Sequence, residues 1–254
     1  SDIEYLGLGY ALARYTAVSA NPRAEEVMVG AERYARQACD VIIAVGGGSP
    51  MDCAKAIGVV HTNRRHVLEF EGVDRVDIPG PPLICIPTTA GTSSDVSQFA
   101  IVSNHFEKRK IAILSKSVIP DVALVDPQPT TTMDAYLTAC TGMDAMVHAL
   151  EALVSNAGSD LTDLHAREAI RRLYTYLPQA IARPRDIAIR QEVMFGSLSA
   201  GLAFSNASLG AVHAMRDRGG RLVVMVREAT LEEVREKGLP RIDAEAYLQL
   251  VVQD

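Results

Sequence analysis

The run Val41-Ile42-Ile43-Ala44-Val45 is apolar at every position and then breaks into Gly46-Gly47-Gly48-Ser49-Pro50. A strand with no polar alternation is expected to be parallel and covered on both faces, and a parallel strand requires a crossover connection. Residues 51–60, rich in Ala, supply it as a helix, so the unit reads strand, glycine turn, helix. A second buried strand, Leu83-Ile84-Cys85-Ile86-Pro87, ends in another small polar turn, Thr88-Thr89-Ala90-Gly91-Thr92-Ser93-Ser94.

Around these units the spacing predicts a helix over residues 24–39, a strand pair over 99–103 and 110–114, and a last strand over 122–126. Beyond Pro129 the pattern changes. Residues 132–155, 161–177 and 187–204 repeat apolar positions at helical spacing, with no convincing strand. The expected division is therefore an α/β domain over 1–128 and an all-α domain over 129–254.

Composition excludes several functions. The chain has 25 Lys and Arg against 31 Asp and Glu, a formal net charge of −6, which argues against a nucleic-acid partner. No apolar run reaches the roughly 18 residues of a spanning helix, and the first residues do not resemble a signal peptide, so neither a membrane partner nor a leader is expected. Cys39, Cys53, Cys85 and Cys140 form no C-x-x-C pair, as expected of reduced thiols in the cytoplasm. Ser197 and Ser199 lack a nucleophile elbow, which leaves little support for hydrolysis.

The glycine turn lets backbone N–H groups approach a pyrophosphate, and the following helix N-terminus adds partial positive charge. The same residues could also serve only as a tight turn. Thr88, Thr89, Thr92 and Ser94 follow their strand as the glycines follow theirs, and the carboxyl ends of parallel strands share a crevice. Local capping is the plainer use of those hydroxyls.

Asp144 and His148 are four apart within Met143-Asp144-Ala145-Met146-Val147-His148, hence on one helical face. A carboxylate and an imidazole so placed can share a divalent cation, or can simply form a solvated pair. His213, isolated in Gly210-Ala211-Val212-His213-Ala214-Met215, reads as a third ligand or as a core histidine. His61, His66, His105 and His165 have polar neighbours and are expected at the surface or behind the site.

Together, Gly46-Gly47-Gly48-Ser49-Pro50-Met51-Asp52, Pro87-Thr88-Thr89-Ala90-Gly91-Thr92, Gly142-Met143-Asp144-Ala145-Met146-Val147-His148, Phe204-Ser205-Asn206 and Gly210-Ala211-Val212-His213 resemble the iron-containing, group III alcohol dehydrogenase family. The motifs stand in the family's order, and the similarity runs over residues 17–215. The resemblance implies the dehydroquinate synthase-like architecture: a Rossmann-like α/β domain binding NAD or NADP, then a helical domain holding one catalytic metal. It implies that Gly46, Gly47, Gly48 and Ser49 lie along the pyrophosphate. Thr88, Thr89, Thr92, Ser97 and Lys110 would line the rest of the dinucleotide, and Asp144, His148 and His213 would hold Fe²⁺, or Zn²⁺, which the same ligands suit.

The resemblance further implies hydride transfer between a small primary alcohol or aldehyde and the nicotinamide, in a cytoplasmic homo-oligomer. Two features of the family have no counterpart. No histidine follows His213 to serve as the fourth ligand, with Asp217 where a further histidine is expected, and the family's first strand is not found in residues 1–14. Both are expected to reflect stretches absent from this sequence. The competing readings are a related polyol dehydrogenase and a non-catalytic cofactor-binding remnant.

Overall fold

The structure, a computed structural model, describes residues 3–6 and 10–209. Its first half is an α/β body. A hairpin of β1 (Ile3–Leu6) and β2 (Tyr10–Ala13) precedes α1 (Ala24–Arg36), β3 (Ile42–Gly46), α2 (Gly48–Asn63), β4 (Gly72–Val73) and β5 (Leu83–Pro87). Strands β6 (Phe99–Asn104), β7 (Arg109–Leu114) and β8 (Val122–Ala123) follow. The second half is helical: α3 (Ala135–Val154), α4 (Asp160–Ala182) and α5 (Ile187–Ala207).

Strands β3, β5 and β8 form a parallel sheet in that order, with Ile42 opposite Leu83 and Gly46 opposite Pro87. Both loops after β3 and β5 therefore leave the sheet at the same edge, as required if two turns are to share a crevice. Strands β6 and β7 pair antiparallel, as the spacing predicts, and β4 joins β7 in a second sheet. The β1–β2 hairpin belongs to neither.

One expectation about β3 is wrong. It is parallel but not covered on both faces: Ala44 is buried, whereas Ile43 and Val45 are 54% and 57% exposed. Among the described residues β3 is the edge of its sheet, and α2 packs on one face only. The strand expected over 122–126 is also shorter, although Leu124 N–H still donates to the Cys85 carbonyl.

Each helix of the second half begins on a side-chain cap. Asp134 accepts from Leu137 N–H, Ser159 from Thr162 N–H and Asp186 from Ile189 N–H, each satisfying an amide that has no intrahelical partner. Helix α4 runs past Leu177, where the periodicity was expected to stop. Pro178 lies inside it, yet burial of Leu177 and Ala180 against α3 and α5 keeps the last turn helical. The helical core consists of Ala149, Leu153, Ile170, Leu173, Val193 and Phe204 with their neighbours. A separate core joins α1 and α2 to β6 and β7 through Val27, Ile57, Val102 and Ile111.

All four cysteines are free thiols, Cys53 and Cys85 buried, Cys39 half-buried and Cys140 exposed. Burial pushes the Cys53 and Cys85 thiols up to about 12, which leaves almost no thiolate near neutrality. A thiol-directed disulfide reagent at pH 8, read by peptide mass spectrometry, is expected to label Cys140 first. Cys53 and Cys85 should react only on unfolding, and rapid native-state labelling of either would contradict this packing.

Candidate active site

The glycine and threonine turns are in direct contact. Gly46, which ends β3, accepts from Thr88 N–H at 2.8 Å, and Gly47 caps α2. Gly48 and Ser49 open that helix. A Cβ on Gly48 would stand 2.9 Å from both Oγ1 and Cγ2 of Thr92, so only glycine allows this approach. Gly46, Gly47, Gly48, Ser49, Thr88, Thr89 and Thr92 all keep partial exposure, leaving a partly open polar edge beside the N-terminus of α2. That geometry suits an anion, since the first amides of a helix have no intrahelical acceptor.

Ser97 and Lys110 sit differently. Ser97 is 2% exposed, beneath α2. Lys110 is half-buried on β7, close enough for its charge to act on Asp52. Sequence reasoning passed over the residues that organise this region. The Asp52 carboxylate accepts from Ser94 Oγ and, at 3.2 Å, from Ile101 N–H. The Lys55 ammonium, one helical turn on, donates to the carbonyls of Ser97 and Phe99, both at 2.8 Å, and lies 3.4 Å from Ser97 Oγ.

Burial raises the Asp52 carboxyl above its ordinary range, opposed by the charge of Lys55 and by its hydrogen bonds. Burial likewise lowers Lys55, opposed by Asp52, Cys85 and Asp95, while Asp95 itself is raised by burial. The signal in the sequence was Asp52-Cys53-Ala54-Lys55: opposite charges three apart in an otherwise apolar helix need buried partners.

Helix α3 lies directly against the threonine turn, since a Cβ on Gly91 would come within 2.5 Å of the Thr141 carbonyl. One turn beyond Thr141, Asp144 is half-buried, and His148 is 5% exposed on the same face. The His148 ring stacks on Phe204 of α5 at 4.3 Å between centroids, and Phe204 packs on Phe99 of β6 at 5.8 Å. A line of rings thus runs from the α/β half to the predicted metal face. Two further bonds close the same seam, Ser93 Oγ to the Ser197 carbonyl at 2.7 Å and Gln98 N–H to Ser205 Oγ at 3.1 Å.

Carboxylate and neutral imidazole are donors that suit Fe²⁺ or Zn²⁺. Asp144 and His148 fit a divalent cation in type and in spacing, but among the described residues no three His, Cys, Asp or Glu side chains gather into a site. His213, the third predicted ligand, lies outside the described residues. Of the other histidines, His61 stands edge-on to Tyr34, His66 caps a short 3-10 turn by accepting from Leu68 N–H, and His105 is exposed.

Arg190 of α5 supports α3 from below. It is 2% exposed and donates to the carbonyls of Pro184 and Met133 and to Thr138 Oγ1. Its guanidinium therefore joins the segment before α3 and the first turn of α3 to α5. Among the described residues no carboxylate is among its hydrogen-bond acceptors, and burial lowers its pKa from the ordinary value.

The sequence profile described as iron-containing alcohol dehydrogenase matches residues 3–127, and that described as Fe-containing alcohol dehydrogenase family, C-terminal, matches residues 138–221. The chain is 39% identical over 217 residues to a 1,3-propanediol dehydrogenase of Klebsiella pneumoniae, covering 85% of this chain and 56% of that protein. It is 40% identical over 206 residues to alcohol dehydrogenase 4 of Schizosaccharomyces pombe, covering 81% and 49%.

Among solved structures, a 1,3-propanediol oxidoreductase superposes with a TM-score of 0.82 at 35% identity, covering 97% of this chain and 66% of that one. A sulfoacetaldehyde reductase from Bifidobacterium kashiwanohense, in complex with NAD⁺, superposes with a TM-score of 0.74 at 33% identity, covering 80% and 54%. The chain spans about half the length of the curated relatives it matches.

Proposed function

We propose, from the premise that this chain belongs to the iron-containing alcohol dehydrogenase family, that the protein carrying it transfers hydride between a small alcohol or aldehyde and a nicotinamide dinucleotide. The observation that carries this reading is the contact of the glycine turn with the threonine turn at one sheet edge, with α3 against the second of them. The relatives named for 1,3-propanediol and for alcohol, and the neighbour in complex with NAD⁺, support the same chemistry.

In this reading the free amides at the start of α2 donate to the pyrophosphate, and Thr88, Thr89 and Thr92 supply hydroxyls along the dinucleotide. Lys110 adds positive charge near the same face, while Ser97 lies deeper and acts through the backbone that Lys55 holds. Asp144 and His148, with His213, would hold Fe²⁺ or Zn²⁺. A divalent cation there supplies Lewis-acid polarisation to a carbinol or carbonyl oxygen. The apolar side chains of Met143, Leu150, Phe204 and Phe99, packed with the helical core, exclude water from the neighbouring space and favour a small, weakly polar substrate.

We place the division between the two halves at 128/129, and expect a cytoplasmic homo-oligomer. The decisive experiment uses the intact protein, loaded anaerobically with Fe²⁺ or Zn²⁺ and assayed with NADH and NADPH against short aldehydes. Turnover is expected, and Gly48→Val is expected to raise the dinucleotide KM more than about 100-fold, because its side chain would occupy the space of Thr92. A folded, metal-loaded wild type that binds dinucleotide without turnover would replace this reading with the non-catalytic one.

A further inference from the structure

The backbone over residues 94–101 has no regular structure until β6 begins, yet it must connect the threonine turn to Phe99, whose ring faces Phe204 and, behind it, His148. Two side chains of α2 hold it. Asp52 takes Ser94 Oγ at one end and Ile101 N–H at the other, while Lys55 takes the carbonyls of Ser97 and Phe99 between them. Asp52 and Lys55 lie at the start and the end of the second turn of the helix that the glycine turn opens. The helix that would receive the pyrophosphate thus grips, by side chains, the segment leading away from the opposing turn.

We propose that Asp52 and Lys55 are positioning residues that clamp the crossing segment onto α2, setting the distance between the two turns and the aim of Phe99 toward the metal face. The function given to the clamp rests on the dinucleotide reading above; the clamp itself does not. Four hydrogen bonds, two accepted by one carboxylate and two donated by one ammonium, one of them buried and three partly buried, tie a single stretch of chain and fix its path more tightly than apolar packing would, because each has a direction. Lys55 finds two backbone oxygens as its closest acceptors, so its role is to satisfy carbonyls on either side of the point where the segment enters β6.

The test uses the intact protein with Asp52→Ala, Ser94→Ala and, as a remote destabilised control, Leu173→Ala in the helical core. NADH and NADPH binding is followed by fluorescence, and amide exchange by mass spectrometry. Asp52→Ala is expected to weaken dinucleotide binding about 10-fold or more and to deprotect residues 94–101. Ser94→Ala, which removes one bond and is the milder variant if the first folds poorly, should show the same pattern at a few-fold. Leu173→Ala should leave both the affinity and the exchange of 94–101 unchanged.

Folded Asp52→Ala and Ser94→Ala proteins with wild-type affinity and wild-type exchange over 94–101 would overturn the clamp. If the wild type binds neither NADH nor NADPH, the dinucleotide reading fails by itself. Exchange alone then judges the clamp: lost protection over 94–101 supports it, and unchanged protection rejects it.

Discussion

Arg190→Leu is expected to destabilise the fold by about 2–4 kcal/mol, because two buried acceptors and one partly buried acceptor lose their donor at about 1–3 kcal/mol each for the buried ones, partly offset by the guanidinium desolvation that is no longer required. The buried acceptors are the Met133 carbonyl and Thr138 Oγ1, beside an arginine that is 2% exposed, while the Pro184 carbonyl is only partly buried. In a body of this size that loss lowers Tm by roughly 2–4 °C per kcal/mol. Arg190→Lys should fall between, since one ammonium cannot reach acceptors that a planar fork spans from three nitrogens. Chemical denaturation measures both variants, and a loss below about 1 kcal/mol for Arg190→Leu would show that α3 does not depend on this arginine.

If the proposed reading holds, Asp144→Ala and His148→Ala are each expected to abolish retained metal and, with it, turnover. Residues that merely orient a ligand cost about 10–100-fold in metal affinity when removed, so loss of a ligand itself should exceed that. The pair lies on one face of α3, so neither removal is compensated by rotation of the helix. Metal content after gel filtration, measured by atomic spectroscopy beside activity, separates this from unfolding. Each variant should keep a wild-type circular dichroism spectrum, because Asp144 is half-buried and His148 packs at the edge of the core against Phe204. Wild-type metal content in both variants would remove these residues from the site.

The parts of the site that could be read from the sequence are those in which chemistry and position are local. Gly46-Gly47-Gly48 after an apolar run states its own turn, and the spacing of Asp144 and His148 states a shared helical face. The start of the last helix and the pairing of β6 with β7 were legible for the same reason, since caps and alternation involve near neighbours. Asp52 and Lys55 were not, because their partners lie 42 to 49 residues away and are in part backbone atoms, which carry no residue signature. Arg190 was hidden likewise among the polar positions of an amphipathic pattern, where an arginine is ordinarily solvated.

By itself, then, the sequence determined most of the strands and helices between residues 24 and 204, though not the β1–β2 hairpin or β4, and it named the turns and side chains whose chemistry is of the kind that takes an anion or a cation. Only the tertiary structure decided that the two turns touch through Gly48 and Thr92, that Ser97 is buried, and that Ile43 and Val45 face outward from an edge strand. The physical reason is range. Backbone preference and hydrophobic period act over a few residues, whereas burial depends on what distant chain arrives, and a β-branched run reads the same whether one face is covered or two.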